Sequence, residues 1–174
     1  WAVGGRARFT PLASSSGDLA PRFQVRVRTD YCIVESEPLQ DLQGSFELSS
    51  EGIEAVDFAW GGVFRLEGRI LFKGGAPRED ILLRIEGFPL APVGDFAGRP
   101  VPSNLTGELE GKLKFRGEMN RPEILGHFTI KDGTLEKLDY DRAVVQFQGF
   151  PPYLKLYDSK IFKGRNMLRL KGAI

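Results

Sequence analysis

The chain has 174 residues, with 24 Lys and Arg against 23 Asp and Glu, one His and one Cys. Charges of both signs are interleaved along it, without the concentration of basic residues that supplies most of a nucleic-acid binder's affinity, so no nucleic-acid partner is expected. The single Cys32 permits no internal disulfide and no Cys-based zinc site, and no apolar run approaches the ~18 residues of a membrane-spanning helix.

The chain opens at Trp1 without Met, a basic n-region or an apolar h-region. It therefore reads as a piece of a longer chain whose targeting signal lies elsewhere. Residues 1–30 read as a linker with the first strands. Thr10 to Pro21 is rich in Ser, Pro and Gly and is expected to be a loop. Phe23, Val25 and Val27 then alternate with polar residues, the period-two signature of a strand with one oily face.

Residues 31–87 form a first β repeat. Phe46 and Leu48, then Phe58 and Trp60, then Phe64, Leu66 and Ile70 keep the same alternation. Residues 88–104 are a connection, with a short helix expected from Leu90 to Gly98 between Phe88-Pro89 and Arg99-Pro100. Residues 105–174 form a second β repeat. There Leu105, Leu109, Leu113 and Phe115 oppose Thr106, Glu108, Glu110, Lys112, Lys114 and Arg116. Phe128 and Ile130, Val145 and Phe147, Leu154 and Leu156, and Leu168 and Leu170 continue the series.

Chain reversals are expected at Lys73-Gly74-Gly75, Asn120-Arg121-Pro122, Asp132-Gly133, Gly149 to Pro152 and Lys163 to Asn166. The sum is an all-β antiparallel meander of roughly ten strands. A weak internal repeat runs through it: Gln43-Gly44 leads to Phe64 to Ile70, and Gln148-Gly149 leads to Leu168 to Ile174.

Phe88-Pro89-Leu90-Ala91, Leu105-Thr106-Gly107-Glu108-Leu109-Glu110-Gly111, Gly117, Pro122, Gly126 and Asp132-Gly133-Thr134-Leu135 follow in an order that resembles the AsmA-like/TamB superfamily. The likeness covers about residues 88–174; Asp41 to Leu48 and Phe64 to Ile70 share its style, and the first thirty residues match poorly. The resemblance implies a long, open, taco-like β-groove with a hydrophobic interior, in an envelope protein anchored in the inner membrane of a Gram-negative-type bacterium and crossing the periplasm. It implies inter-membrane phospholipid transport and outer-membrane biogenesis, with phospholipid acyl chains as partners and membrane contact made through parts outside these 174 residues. It also implies a possible outer-membrane β-barrel partner of the TamA or BamA class. It implies no catalytic residues and no cofactor.

The residues suit that task. A sheet that twists and folds over itself can enclose its oily face without helices. Gly68, Gly107, Gly111 and Gly126 stand on the apolar parity, where Gly eases bending or makes room for a neighbouring Phe. An acyl tail gains about 0.8 kcal/mol per buried methylene, so about sixteen carbons are worth ~12 kcal/mol, most of which a dry groove would return. A uniform lining lets a lipid pass where a specific pocket would trap it. The lining expected is Phe23, Val25, Val27, Phe46, Leu48, Phe58, Trp60, Phe64, Leu66, Ile70, Leu105, Leu109, Leu113, Phe115, Phe128, Ile130, Val145, Phe147, Leu154, Leu156, Leu168 and Leu170.

No enzyme is expected. His127 falls on the polar parity of its strand, and Ser14 to Ser16 and Ser159 have no recognisable His/Asp constellation. No phosphate-binding Gly-rich loop occurs, and Asp139-Tyr140-Asp141 lacks a calcium-loop pattern, so no metal is expected. Two other readings of the apolar rows stay open. They can be the closed core of a sandwich, or the chain can be an all-β scaffold that binds an outer-membrane assembly partner along an open sheet edge.

Overall fold

Alternation becomes strand almost without interruption. The computed structural model describes residues 2–12, 21–34, 37–39, 41–90, 105–135 and 137–173. Among them are twelve strands: β1 (Ala2–Leu12), β2 (Arg22–Val34), β3 (Glu37–Leu39), β4 (Gln43–Ser49), β5 (Gly52–Trp60) and β6 (Phe64–Leu71). There follow β7 (Arg78–Pro89), β8 (Glu108–Glu118), β9 (Arg121–Leu135), β10 (Leu138–Phe150), β11 (Tyr153–Lys163) and β12 (Asn166–Ala173). Eleven form one antiparallel sheet in the order β1-β2-β4 and then sequentially to β12, while β3 pairs with the far end of β2. The sheet is open: β1 and β12 end the order, and no pairing between them closes it among the described residues. No helix occurs among the described residues.

The helix expected after Leu90 lies outside the described residues, as do Ser14 to Ser16. Of the loop expected from Thr10, the first three residues belong to β1, and residues 13–20 lie outside. Reversals occur where Gly and Pro cluster, with one correction. Asp132-Gly133 does not turn the chain; it lies inside β9, whose partner β10 runs alongside in unbroken register from Leu135↔Leu138 to Ile124↔Gly149. Asp132 takes the left-handed φ of 48° that Asp tolerates better than most residues, and β9 accommodates it without reversing. In the internal repeat, Gln43-Gly44 opens β4 whereas Gln148-Gly149 stands near the end of β10.

Contacts group the chain into two units, Trp1–Leu83 with Phe115–Pro122, and Arg84–Lys114 with Glu123–Ile174. In the first unit, cross-strand pairs hold the apolar residues on one face: Phe9↔Val25, Val25↔Phe46, Phe23↔Leu48, Phe58↔Leu66 and Trp60↔Phe64. In the second, Phe128↔Val145, Phe147↔Leu156, Ile161↔Leu168 and Ser159↔Leu170 do the same.

Strict alternation fails at two bulges. Ala55 adopts φ 49° inside β5, and one extra residue there puts both Ile53 and Val56 on the apolar face, against Ile70 and Gly68. Asp158, at φ 43°, does the same in β11, so that Leu156 and Ile161 share a face although they are five residues apart. A bulge shifts parity by one and bends its strand. The gap it opens in the ladder is closed by Ser159, which is fully buried. Its hydroxyl accepts the Gln146 N–H at 2.9 Å and donates to the Gln146 carbonyl at 3.1 Å, replacing the ladder bonds that the extra residue displaces.

Few side chains are deeply buried. Val25, Val56 and Ile81 are the buried hydrophobics of the first unit, and Ile85, Leu90, Tyr140, Ala143 and Ile161 those of the second, among the described residues. Tyr140, Ala143 and Ile161 form a cluster, with Ile130, Leu135 and Leu170 packed on it. The Tyr140 ring lies over Gly133, where any Cβ would collide with it, and its hydroxyl donates to the Thr106 carbonyl at 3.2 Å. Burial pushes that phenol above its ordinary pKa.

Candidate functional site

Most of the predicted lining is neither sealed nor bare. Val25 is buried, Leu168 on the terminal strand is exposed, and the remaining lining residues are half-buried. Such intermediate exposure along whole rows accompanies a sheet with one oily side and no helix among the described residues. Leu105 alone stands outside a strand, just ahead of β8.

The first unit draws part of the row into a hollow of about 440 Å³, within the range of small-molecule clefts. Phe46, Phe58, Leu66, Ile70 and Phe115 line it, joined by Ile53, Val56, Ile81 and Glu79, which the alternation did not single out. The Phe46 and Phe58 rings stack 6.1 Å apart, and Trp60 stacks on Phe64 at 4.8 Å beside the hairpin that joins β5 to β6. Phe23, Val25, Val27 and Leu48 lie on the same face but not at the hollow.

Glycines shape this surface in two ways. Gly44 and Gly126 sit under aromatic rings, Phe58 and Phe147 respectively, where a Cβ would meet ring atoms. Gly68, at φ 145°, instead faces backbone: a Cβ there would press on the Asp80 carbonyl and approach the Ile81 Cα at 2.9 Å. That position demands Gly both for its dihedral angle and for the close strand approach.

Among the described residues, Glu79 is the one charged side chain at the hollow. Since Ile81 lies against Gly68, Glu79 stands two residues away on the same oily face. Loss of hydration raises its pKa above the ordinary 4.5, with no charged neighbour contributing. In the sequence it hides within Arg78-Glu79-Asp80, a charged run that reads as a solvated strand start. Only the ladder reveals that its middle member points to the oily side.

In the second unit, Phe128 and Phe147 approach at 5.9 Å with their planes tilted by 42°. Val145, Ile130, Leu154, Leu156 and Leu170 share their face through the ladder pairs. Gly111 lies against Phe128, which brings Leu109 and Leu113 to that face as well. His127 is exposed on the opposite side.

The polar face holds a feature that the linear sequence conceals. Charges interleaved along β1 and β2 meet across the ladder, Arg6↔Arg28 and Arg8↔Arg26, so an even distribution in sequence becomes a basic cluster in space.

No family model, curated protein or solved structure matches the chain. Its own geometry offers an oily, half-buried sheet face, a poorly hydrated carboxylate at Glu79 and a charged reverse side.

Proposed function

We propose that the chain is a carrier segment rather than an enzyme, which shields lipid acyl chains along the apolar face of its sheet for phospholipid transport between the inner and outer membranes. The observation that carries this reading is the half-buried apolar row, continued from strand to strand within each unit, with no helix among the described residues to pack on it. A closed sandwich core would bury such rows, because each large apolar side chain gains ~1.5–3 kcal/mol from full burial. Rows left accessible fit a face whose complement is hydrocarbon supplied from outside the chain. The resemblance of residues 88–174 to AsmA-like/TamB proteins supports the same task and a periplasmic setting.

The test is site-specific photo-crosslinking with a photoreactive residue at Phe58, Phe128 or His127, followed by mass spectrometry of the adducts and of co-purifying lipid. Phospholipid adducts are expected from Phe58 and Phe128 and none from His127, which faces away. Equal labelling of all three sites, or purification free of lipid with protein adducts alone, would refute the reading.

A second reading has its own observation. The terminal strand β12 exposes Met167 and Leu168, and an open edge of this kind can pair with a strand of an outer-membrane assembly protein. Protein adducts concentrated at Leu168 would favour it.

A further inference from the structure

The reverse side of the first two strands carries a cluster of cations suited to an anion. Arg6 lies opposite Arg28 and Arg8 opposite Arg26. Directly opposed residues stand ~4.5–5.5 Å apart at Cα, and successive residues on one face ~7 Å apart, so four guanidiniums share a patch about one head group across. Like charges in that register oppose folding. Among the described residues no acidic side chain pairs with any of the four. Arg26 reaches only the Gln24 carbonyl oxygen, at 3.3 Å. The next strand places neutral Ser45 and Gln43 beside Arg26 and Arg28. Two described acids on the neighbouring strands are engaged elsewhere, Glu47 by Arg22 at 3.0 Å and Asp57 by Arg65 at 3.1 Å. The four arginines border one shallow concavity, yet the whole chain has a formal charge of only +1. The patch is thus a local arrangement rather than a by-product of net charge.

Guanidinium forks match the paired oxygens of a phosphate or a carboxylate two at a time, which identifies the missing counter-charge as an oxyanion. Phe9 decides between sources. It follows Arg8 on the same terminal strand, projects to the opposite face and is 62 % exposed. A soluble phosphate compound or a nucleic acid would use the arginines and give this ring nothing to bury in. The boundary of a bilayer offers phosphates and hydrocarbon within a few ångströms of each other.

We propose that β1 and β2 form a docking edge for an anionic phospholipid surface, with Arg6, Arg8, Arg26 and Arg28 on the lipid phosphates and Phe9, on the other side of the same edge strand, in the adjoining hydrocarbon. The experiment is co-sedimentation of the 174-residue chain with vesicles of phosphatidylcholine, or of phosphatidylcholine and phosphatidylglycerol in equal parts. Each arginine near such a surface contributes about 1 kcal/mol, so the double variant R6Q/R8Q is expected to lose roughly 30-fold in affinity for the anionic vesicles. Because the substitutions relieve repulsion, the variant folds at least as stably as the parent, which circular dichroism checks. The variant K155Q/K171Q removes the same charge from exposed positions elsewhere and leaves binding unchanged. Phe9→Ser weakens vesicle binding several-fold without altering affinity for inorganic pyrophosphate. Parent-like sedimentation of R6Q/R8Q, equal binding to pure phosphatidylcholine, or preference for a single-stranded oligonucleotide or pyrophosphate over vesicles would each overturn the assignment.

Discussion

Replacing Gly126 with Ala tests whether glycine on the oily face is there to seat a ring. Gly126 has no positive φ, so Ala is allowed by the backbone, and in a strand interior Ala should gain ~0.5–1 kcal/mol over Gly. The obstacle is one side chain: the three nearest atoms to a Cβ at this site all belong to the Phe147 ring. To admit the methyl group the ring must leave its tilted contact with Phe128, worth ~0.5–1.5 kcal/mol, and move off its rotamer at a further ~0.5–1.5 kcal/mol. The net expectation is destabilisation of about 1 kcal/mol, read in urea denaturation followed by circular dichroism. In a Phe147→Leu background the ring is gone and the same substitution should become neutral or favourable, giving a coupling of about 1–2 kcal/mol in the double-mutant cycle. Gly172→Ala is the control, since a Cβ there meets open space. If Gly126→Ala costs nothing, or costs as much without the Phe147 ring, the ring-seating argument is wrong.

Three further outcomes follow from the same geometry. Ser159→Ala removes the hydroxyl that serves both Gln146 backbone groups at the β11 bulge, and is expected to cost ~1–3 kcal/mol in the same denaturation assay; a loss under ~0.5 kcal/mol would mean that the bulge closes without it. Ile161→Ala empties the centre of the Tyr140 and Ala143 cluster and is expected to cost ~2–5 kcal/mol, whereas Leu168→Ala on the exposed terminal strand costs much less; equal losses would show that the cluster is not the core of its unit. Glu79 gives a pH signature. Its carboxyl binds a proton more tightly in the folded chain than in the unfolded one, so this residue's contribution to stability falls as pH rises from the ordinary 4.5 through the raised folded value, then levels off. The melting temperature of Glu79→Gln should therefore gain on the parent across that window, and a constant difference from acid to neutral pH would contradict the burial of Glu79.

Much of the oily face is visible in the linear sequence because a strand has a period of two and hydrophobic burial acts on one side of it. Phe58, Leu66 and Phe128 could be placed on a common type of surface without coordinates. Val56 and Ile161 could not, because Ala55 and Asp158 bulge their strands and advance the parity by one. Alternation has no marker for a non-glycine residue at positive φ. Asp132-Gly133 shows the converse error: the residues favour an unusual dihedral angle, but whether that angle reverses a chain or merely twists it depends on the partner strand.

What the sequence determined alone was the fold class, since alternating apolar and polar residues with scarcely a helical segment satisfy their backbones in sheet, and short Gly- and Pro-marked reversals join antiparallel strands. Register was decided only by the tertiary structure. It placed Glu79 among the phenylalanines and set four arginines face to face, though neither association can be inferred from spacing along the chain. The physical reason is that side-chain parity is a local property, whereas the neighbour across a ladder is fixed by loop lengths and bulges, and there a single inserted residue exchanges one face for the other.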